Sequence, residues 1–231
     1  MKIAIIVPMA EEAEFYRDHF HAETKEMFGS TEFEHFSVNG NDVYLGLSGI
    51  GKVNAAMNLT SLLTKEKIDV IFMTGSAGSL QDDVHRKDVI LVNDFAYHDA
   101  HCVSAGEYVE GQIPREPATF KLNSPEREAF KKYLGEEDVD FKEGLVVTGD
   151  TFVDSAEKIA KIKKEFPEAL ACEMEGAAIG QAASQFNIPF LVVRAMSDTA
   201  DGEATQSFDE FIDEAGKKSA EMVIHFVENL V

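Results

Sequence analysis

The sequence predicts an α/β fold, on three observations. Apolar runs of strand length alternate with amphipathic stretches of helix length along almost all of the 231 residues, the pattern of strands and helices that share one sheet. Several helical stretches open on capping residues, and several apolar runs end in a carboxylate.

The elements follow in order. The run at 2–8 is apolar from Ile3 to Val7. A secretory leader has a longer apolar region and a small-residue cleavage site, so this run is a first strand. The stretch 10–20 is a helix. Runs at 32–38 and 43–47 flank Asn39-Gly40, the dipeptide of a tight hairpin. A helix at 52–64 leads to strands at 70–74 and 89–95. From Ala96 to Lys121 periodicity fades around Gly106, Gly111, Pro114 and Pro117; loops this long are usually functional or interfacial. Ser124 before Pro125 opens a helix at 125–134. A strand at 145–148 is followed by a helix at 155–166, where Asp154 and Glu157 fit a capping box. Strands at 169–173 and 190–195 enclose a helix at 175–186. The last helix, 208–229, opens with Ser207 and Glu210 in the same box. No repeat or linker interrupts the series, so residues 1–231 are expected to form one domain.

A chain of this size buries about 70–75% of its unfolded surface without cross-links. Cys102 and Cys172 form no disulfide framework and fit no zinc-finger spacing, which suits two reduced thiols in the cytoplasm. The 42 acidic residues against 21 basic give a net charge of −21, a field that repels phosphate backbones and anionic bilayers. No apolar stretch reaches bilayer-spanning length. A soluble cytoplasmic protein without nucleic-acid or membrane partners is expected.

Three clusters bear on chemistry. Gly46-Leu47-Ser48-Gly49-Ile50-Gly51-Lys52-Val53 fits a phosphate-cradling loop until Val53 replaces the magnesium-binding hydroxyl. The following strand also lacks the acidic residue that would hold the metal, so a tight strand-to-helix turn is the plainer reading. His98-Asp99-Ala100-His101-Cys102 offers four possible metal ligands in five residues, but neighbours on one loop rarely face a single ion, and polar loop roles are favoured. The third cluster is distributed: Glu11-Glu12 after the first strand, Glu173 and Glu175 around Met174, and Asp198 at the end of the run from Leu191. Each has an ordinary explanation as a cap or helix-dipole partner. Together they deliver carboxylates from separate strands to the rim where open α/β sheets bind ligands, and they read as one site.

These residues sit within motifs that occur in a fixed order. They are Glu11-Glu12, Ser48-Gly49-Ile50-Gly51-Lys52, Thr74-Gly75-Ser76-Ala77-Gly78, Tyr97-His98-Asp99-Ala100, Gly149-Asp150-Thr151-Phe152, Glu173-Met174-Glu175 and Arg194-Ala195-Met196-Ser197-Asp198. In that order and spacing the chain resembles the bacterial methylthioadenosine/S-adenosylhomocysteine nucleosidases of the nucleoside phosphorylase superfamily, from end to end. The resemblance implies a three-layer α/β/α fold around a mixed, partly closed sheet, and a homodimer. It assigns Glu12 to the attacking water, Met174 and Glu175 to the ribose, and Asp198 to the purine N7. Phe152 stacks near adenine, the Val153 backbone reads the base edge, and Ser76 and Gly78 lie beneath the nucleoside. Arg194 and Ser197 support the acidic centre that includes Glu173, while Met9, Ile50 and Phe208 line an apolar pocket for the thioalkyl group.

The chemistry suits these residue types. Cleaving a ribose–adenine bond leaves a cationic sugar and an electron-rich base. An acid at N7 improves the leaving group, a carboxylate at the ribose steadies the cation, and a third carboxylate takes a proton from water. No cofactor or metal is required. A phosphorylase needs cationic side chains for phosphate, and only Arg194 lies near a strand-end motif, so water is the expected nucleophile. The rival readings are a nucleoside phosphorylase and a non-catalytic nucleoside-binding protein.

Overall fold

The computed structural model describes residues 1–29, 31–198 and 204–230, apart from the side chains of 105, 198 and 204–211. The strands are β1 (Lys2–Val7), β2 (Thr24–Phe28), β3 (Thr31–Val38), β4 (Asn41–Leu47), β5 (Val70–Met73), β6 (Ser76–Ser79), β7 (Val89–Tyr97), β8 (Phe120–Lys121), β9 (Lys142–Thr148), β10 (Ala169–Glu173) and β11 (Phe190–Asp198). The helices are α1 (Ala10–His19), α2 (Lys52–Leu63), α3 (Pro125–Glu136), α4 (Ala156–Glu165), α5 (Gly176–Phe186) and α6 (Ala204–Asn229).

The strands join in the order β2-β3-β4-β1-β5-β11-β6-β10-β9-β7-β8, and β7 also pairs with β11. Along one edge β11 runs parallel first to β5 and then to β6; along the other it is antiparallel to β7. That extra pairing closes β11, β6, β10, β9 and β7 into a ring, while β5, β1, β4, β3 and β2 extend from it in that order as an open sheet. The sheet is thus mixed and partly closed, as the resemblance implies.

Residue alternation along β1 explains the layering. Ile3, Ile5 and Val7 enter a core built with Tyr16 of α1, Phe130 of α3 and Val223 of α6. Ala4 and Ile6 enter a second core with Leu59 of α2 and Ile179 of α5. Burial on both faces turns the strand into a continuous apolar run, and each fully buried aliphatic side chain contributes about 1.5–3 kcal/mol. A smaller core sets Ile162 of α4 and Phe166 against Val147 and Ala169 at the ring.

All eight expected strands and six expected helices are present, with three strands added. β2 is exposed at four of its five positions, so it carries no alternation; its pairing with β3 makes it a strand. β6 consists of Ser, Ala and Gly, weak strand formers whose conformation comes from β10 and β11 on either side. β8 is two residues long. The hairpin at Asn39-Gly40 closes with Val38 opposite Asn41. Ser124 caps α3 by accepting from the Arg127 N–H. Ser155, not Asp154, caps α4, and Asp154 instead pairs with Lys158 at 2.7 Å. α6 begins at Ala204, so Ser207 lies inside the helix rather than at its cap. Among the described residues, no helix is long and apolar enough to cross a membrane.

Candidate active site

A cavity of about 280 Å³ opens where β1, β10 and β11 end, the position at which open α/β sheets hold ligands. The chain leaves β1 through Pro8 and Met9 and turns directly into α1. Glu12, the third residue of that helix, reaches back so that its Oε2 accepts from the Met9 N–H at 3.2 Å, the backbone half of a capping box. Its Oε1 accepts from the Ser76 N–H at 3.0 Å. Both oxygens therefore serve as acceptors, which fixes the carboxylate across the gap between α1 and β6.

Glu173 closes β10 and caps the next helix. Its carboxylate accepts from the Gly176 N–H at 2.8 Å and the Glu175 N–H at 3.2 Å, and also from the Thr148 hydroxyl. Glu175, at the N-cap of α5, turns the other way and accepts from the Gly51 N–H at 2.8 Å. Arg194 of β11 lies fully buried among these acids. It donates to Glu173, to the Thr74 carbonyl at 3.3 Å, and stands 3.5 Å from Glu175 Oε2. Gly75, at φ +142°, leaves room for this arrangement: a Cβ there would meet Arg194 Nη1 at 2.3 Å and Glu12 Oε1 at 2.8 Å.

Three buried carboxylates, Glu12, Glu173 and Glu175, thus surround one buried guanidinium. The burial and crowding of these acids appear in their titration. Burial pushes Glu12 above the ordinary carboxylate range, against the pull of Arg194 and the Ser76 and Met9 donors. Burial, and then the charge of Glu173, push Glu175 up to about 8. A cavity with these properties favours a ligand that carries or develops positive charge.

The structure brings most of the expected site residues to this cavity. Met9, Glu12, Ile50, Ser76, Gly78, Phe152, Val153, Met174 and Glu175 line it, together with Glu173, Arg194 and Ser197. The backbone of Asp198 ends β11 opposite Gly78; its side chain lies outside the described residues. Phe208 lies in α6, its side chain likewise outside them. Pro8, Ala77, Thr151 and Cys172 also line the cavity and were not singled out in the sequence. Ala77 and Thr151 fall inside quoted motifs, but nothing in the type of Cys172 distinguishes it from a core thiol.

The family model described as the phosphorylase superfamily matches residues 2–228. The chain belongs to the phosphorylase superfamily. Within it, the chain is 41% identical over 230 residues to the 5′-methylthioadenosine/S-adenosylhomocysteine nucleosidase of Actinobacillus succinogenes, with 100% of both chains covered. It is similar to the solved S-adenosylhomocysteine nucleosidase from Streptococcus pyogenes in complex with 5-methylthiotubericidin. The TM-score is 0.94 at 39% identity, over 100% of this chain and 98% of that one. The 5′-methylthioadenosine/S-adenosylhomocysteine nucleosidase from S. pneumoniae with the transition-state inhibitor MT-ImmA gives a TM-score of 0.93 at 39% identity, with both chains fully covered.

The glycine turn of this phosphorylase-superfamily chain shows why the triphosphate-loop pattern fails here. The Gly51 N–H already faces the Glu175 carboxylate. The Lys52 ammonium, which such a loop directs at phosphate, is held by both oxygens of Asp99 at 2.8 and 2.7 Å. Three of the possible ligands at 98–102 are thereby set apart: His98 is buried, Asp99 faces Lys52, and His101 meets Glu110.

The raised pKa of Glu175 links pH to stability. Its folded value lies above the ordinary 4.5, so the stability associated with the protonated group is complete below that value. It is lost as pH rises through about 8. Glu175→Gln removes the ionisation while keeping an oxygen for the Gly51 N–H. The variant is expected to melt close to wild type at about pH 5 and several degrees higher at about pH 9, at about 2–4 °C per kcal/mol for a chain of this size. Scanning calorimetry across that range checks the sign; an equal shift at both ends rejects the assignment.

Proposed function

We propose that this chain hydrolyses the N-glycosidic bond of 5′-methylthioadenosine and S-adenosylhomocysteine, releasing adenine and the thioribose product. The observation that carries this reading is the convergence of three buried acidic side chains on one guanidinium at the cavity. The cavity volume, about 280 Å³, is near the lower end of small-ligand sites, about 300–1,000 Å³, and suits a nucleoside.

In this reading the two faces of the sugar meet different acids. Glu175 hydrogen-bonds the ribose hydroxyls beside Met174 and, in its ionised form, steadies the cation that develops as the glycosidic bond breaks. Asp198 gives its proton to N7, so that adenine leaves without carrying a full negative charge. Glu12 takes a proton from water as its oxygen attacks the sugar carbon. Burial raises the basicity of this carboxylate, which strengthens it as a proton acceptor. Glu173 and Arg194 hold Glu175 and the start of α5 in position. Phe152 and Val153 receive the base, Ser76, Gly78 and Ser197 form the inner wall, and Met9, Ile50 and Phe208 take the thioalkyl group. Ile50 and Phe152 are 50% and 38% exposed, apolar surface that an apolar substituent would cover. None of these steps calls on a cofactor.

Water rather than phosphate is favoured as the nucleophile. Among the described residues that line the cavity, Arg194 is the single cationic side chain, and Glu173, Glu175 and Thr74 already engage it. Chromatography of free adenine from both thionucleosides in phosphate-free buffer is expected to show full turnover, with no gain on adding phosphate. A strict phosphate requirement sinks the reading in favour of a phosphorylase.

We read residues 1–231 as one catalytic domain that works in the cytoplasm as a homodimer. Val53 and Met57, one turn apart on α2, are 66% and 60% exposed, beside the exposed Ile50. A second copy covering this apolar stripe would also border the cavity.

A further inference from the structure

We propose that His101, Glu110 and Glu165 form a binding site for a divalent transition cation of the zinc type, outside the nucleoside cavity. One ligand atom from each lies within 4.8 Å of the others, and none of the three residues lines that cavity. Tetrahedral zinc with bonds of about 2.0–2.1 Å needs donor separations of about 3.4 Å, which side-chain rotation supplies without moving the backbone.

Contacts that owe nothing to a metal bring the three positions together. The Gly111 N–H donates to the Ala100 carbonyl at 3.1 Å, so the next residues inward, His101 and Glu110, face one another across the loop. His101 Nδ1 contacts Glu110 Oε1. Gly111 also lies close against α4: a Cβ there would stand 2.9 Å from the Phe166 ring. Phe166 is itself buried and closes the helix by donating its N–H to the Ile162 carbonyl at 2.7 Å. Glu165, the last residue of α4, is therefore presented to the loop by a packed helix end. Its Oε2 is buried and has no hydrogen-bond partner. A carboxylate oxygen removed from water without a donor is costly, and a cation shared with His101 and Glu110 removes that cost.

The donor set selects the class of ion. Calcium and magnesium prefer all-oxygen shells with more ligands. One imidazole and two carboxylates, completed by water, suit zinc and its neighbours. The net charge of −21 raises the local cation concentration. A bound ion would fasten the 100–112 loop to α4, the helix that follows the Phe152–Val153 segment of the cavity wall. The inference stands apart from the proposed reaction, because no proposed catalytic or substrate-binding residue contributes a ligand.

Isothermal titration of untagged, chelator-stripped protein with zinc chloride is the test. Wild type is expected to bind one ion per chain, and His101→Asn, Glu110→Gln and Glu165→Gln each to weaken binding at least about tenfold. His19→Asn, which alters the exposed His19–Glu228 pair elsewhere, serves as the control and should leave binding unchanged. Cobalt substituted for zinc should give the visible absorption of a low-coordinate site in wild type and lose it in Glu165→Gln. Circular dichroism confirms that the variants are folded, and their adenine release without metal should match wild type. Absence of saturable binding to wild type overturns the proposal, as does Glu165→Gln binding within about twofold of it.

Discussion

Glu12→Gln is expected to lower kcat by about 10²–10⁴ while the folded protein still binds the intact nucleoside. The geometry makes this a demanding substitution. Each oxygen of Glu12 accepts from a backbone N–H, one from Met9 and one from Ser76. An amide offers an acceptor at one end only, so whichever way Gln lies, its NH₂ faces a donor. A cost of about 1–3 kcal/mol in stability accompanies the unpaired N–H. The kinetic loss is separate from this cost, because an amide cannot take a proton from attacking water. Single-turnover measurement well below the variant's melting temperature separates the two effects. Turnover near the wild-type rate would mean that another group serves as the base. Wild-type kcat/KM should also fall on the acid side at a pH above the usual carboxylate range, since burial raises Glu12 and the active form is the unprotonated one.

Asp198→Asn is expected to leave no more than about 1% of wild-type kcat, the lower bound of an acid-catalytic contribution of about 10²–10⁴, with little change in nucleoside affinity. The expectation rests on position and chemistry. The backbone at 198 ends β11 opposite Gly78, directly after the fully buried Ser197, at the rim that holds the cavity. An asparagine at this point still offers N7 a hydrogen bond, which preserves binding. It has no proton to give up, so adenine would have to depart as an anion. The split between kcat and affinity distinguishes an acid from a residue that only binds the base. If affinity falls in step with kcat, Asp198 is a binding residue and the proton comes from elsewhere.

Much of the architecture was legible because burial on two faces leaves a strong mark on a strand. β1, β5 and the first part of β11 are apolar almost throughout, and each lies inside the layered region. The edge strand β2 left no such mark, since Thr24, Lys25, Glu26 and Met27 are all exposed. β6 was visible as a motif but not as a strand, because Ser76, Ala77, Gly78 and Ser79 were small enough to pass for a loop. Asp154 looked like the cap of α4 from its spacing to Glu157, yet Ser155 stands one residue closer and takes the role. The candidate site was legible for a different reason. Carboxylates that end apolar strands are conspicuous, and the ordered motifs around them carry the resemblance. The pairing logic among them was not legible. Nothing in the spacing of Glu173 and Glu175 reveals that one caps α5 and grips Arg194 while the other turns toward Gly51.

Closure of β11, β6, β10, β9 and β7 on themselves divides the pocket into a fixed floor and an adaptable mouth. Ser76, Glu173 and Arg194 stand on strands that each have neighbours on both sides, so the separations among them cannot widen without breaking backbone ladders. A bulkier group on the far end of the sugar must therefore be accommodated by Ile50 and Phe152, which sit between elements and face solvent. Tolerance for different tails and fidelity toward the scissile bond are thus assigned to separate parts of the chain, and either can be altered by substitution without disturbing the other.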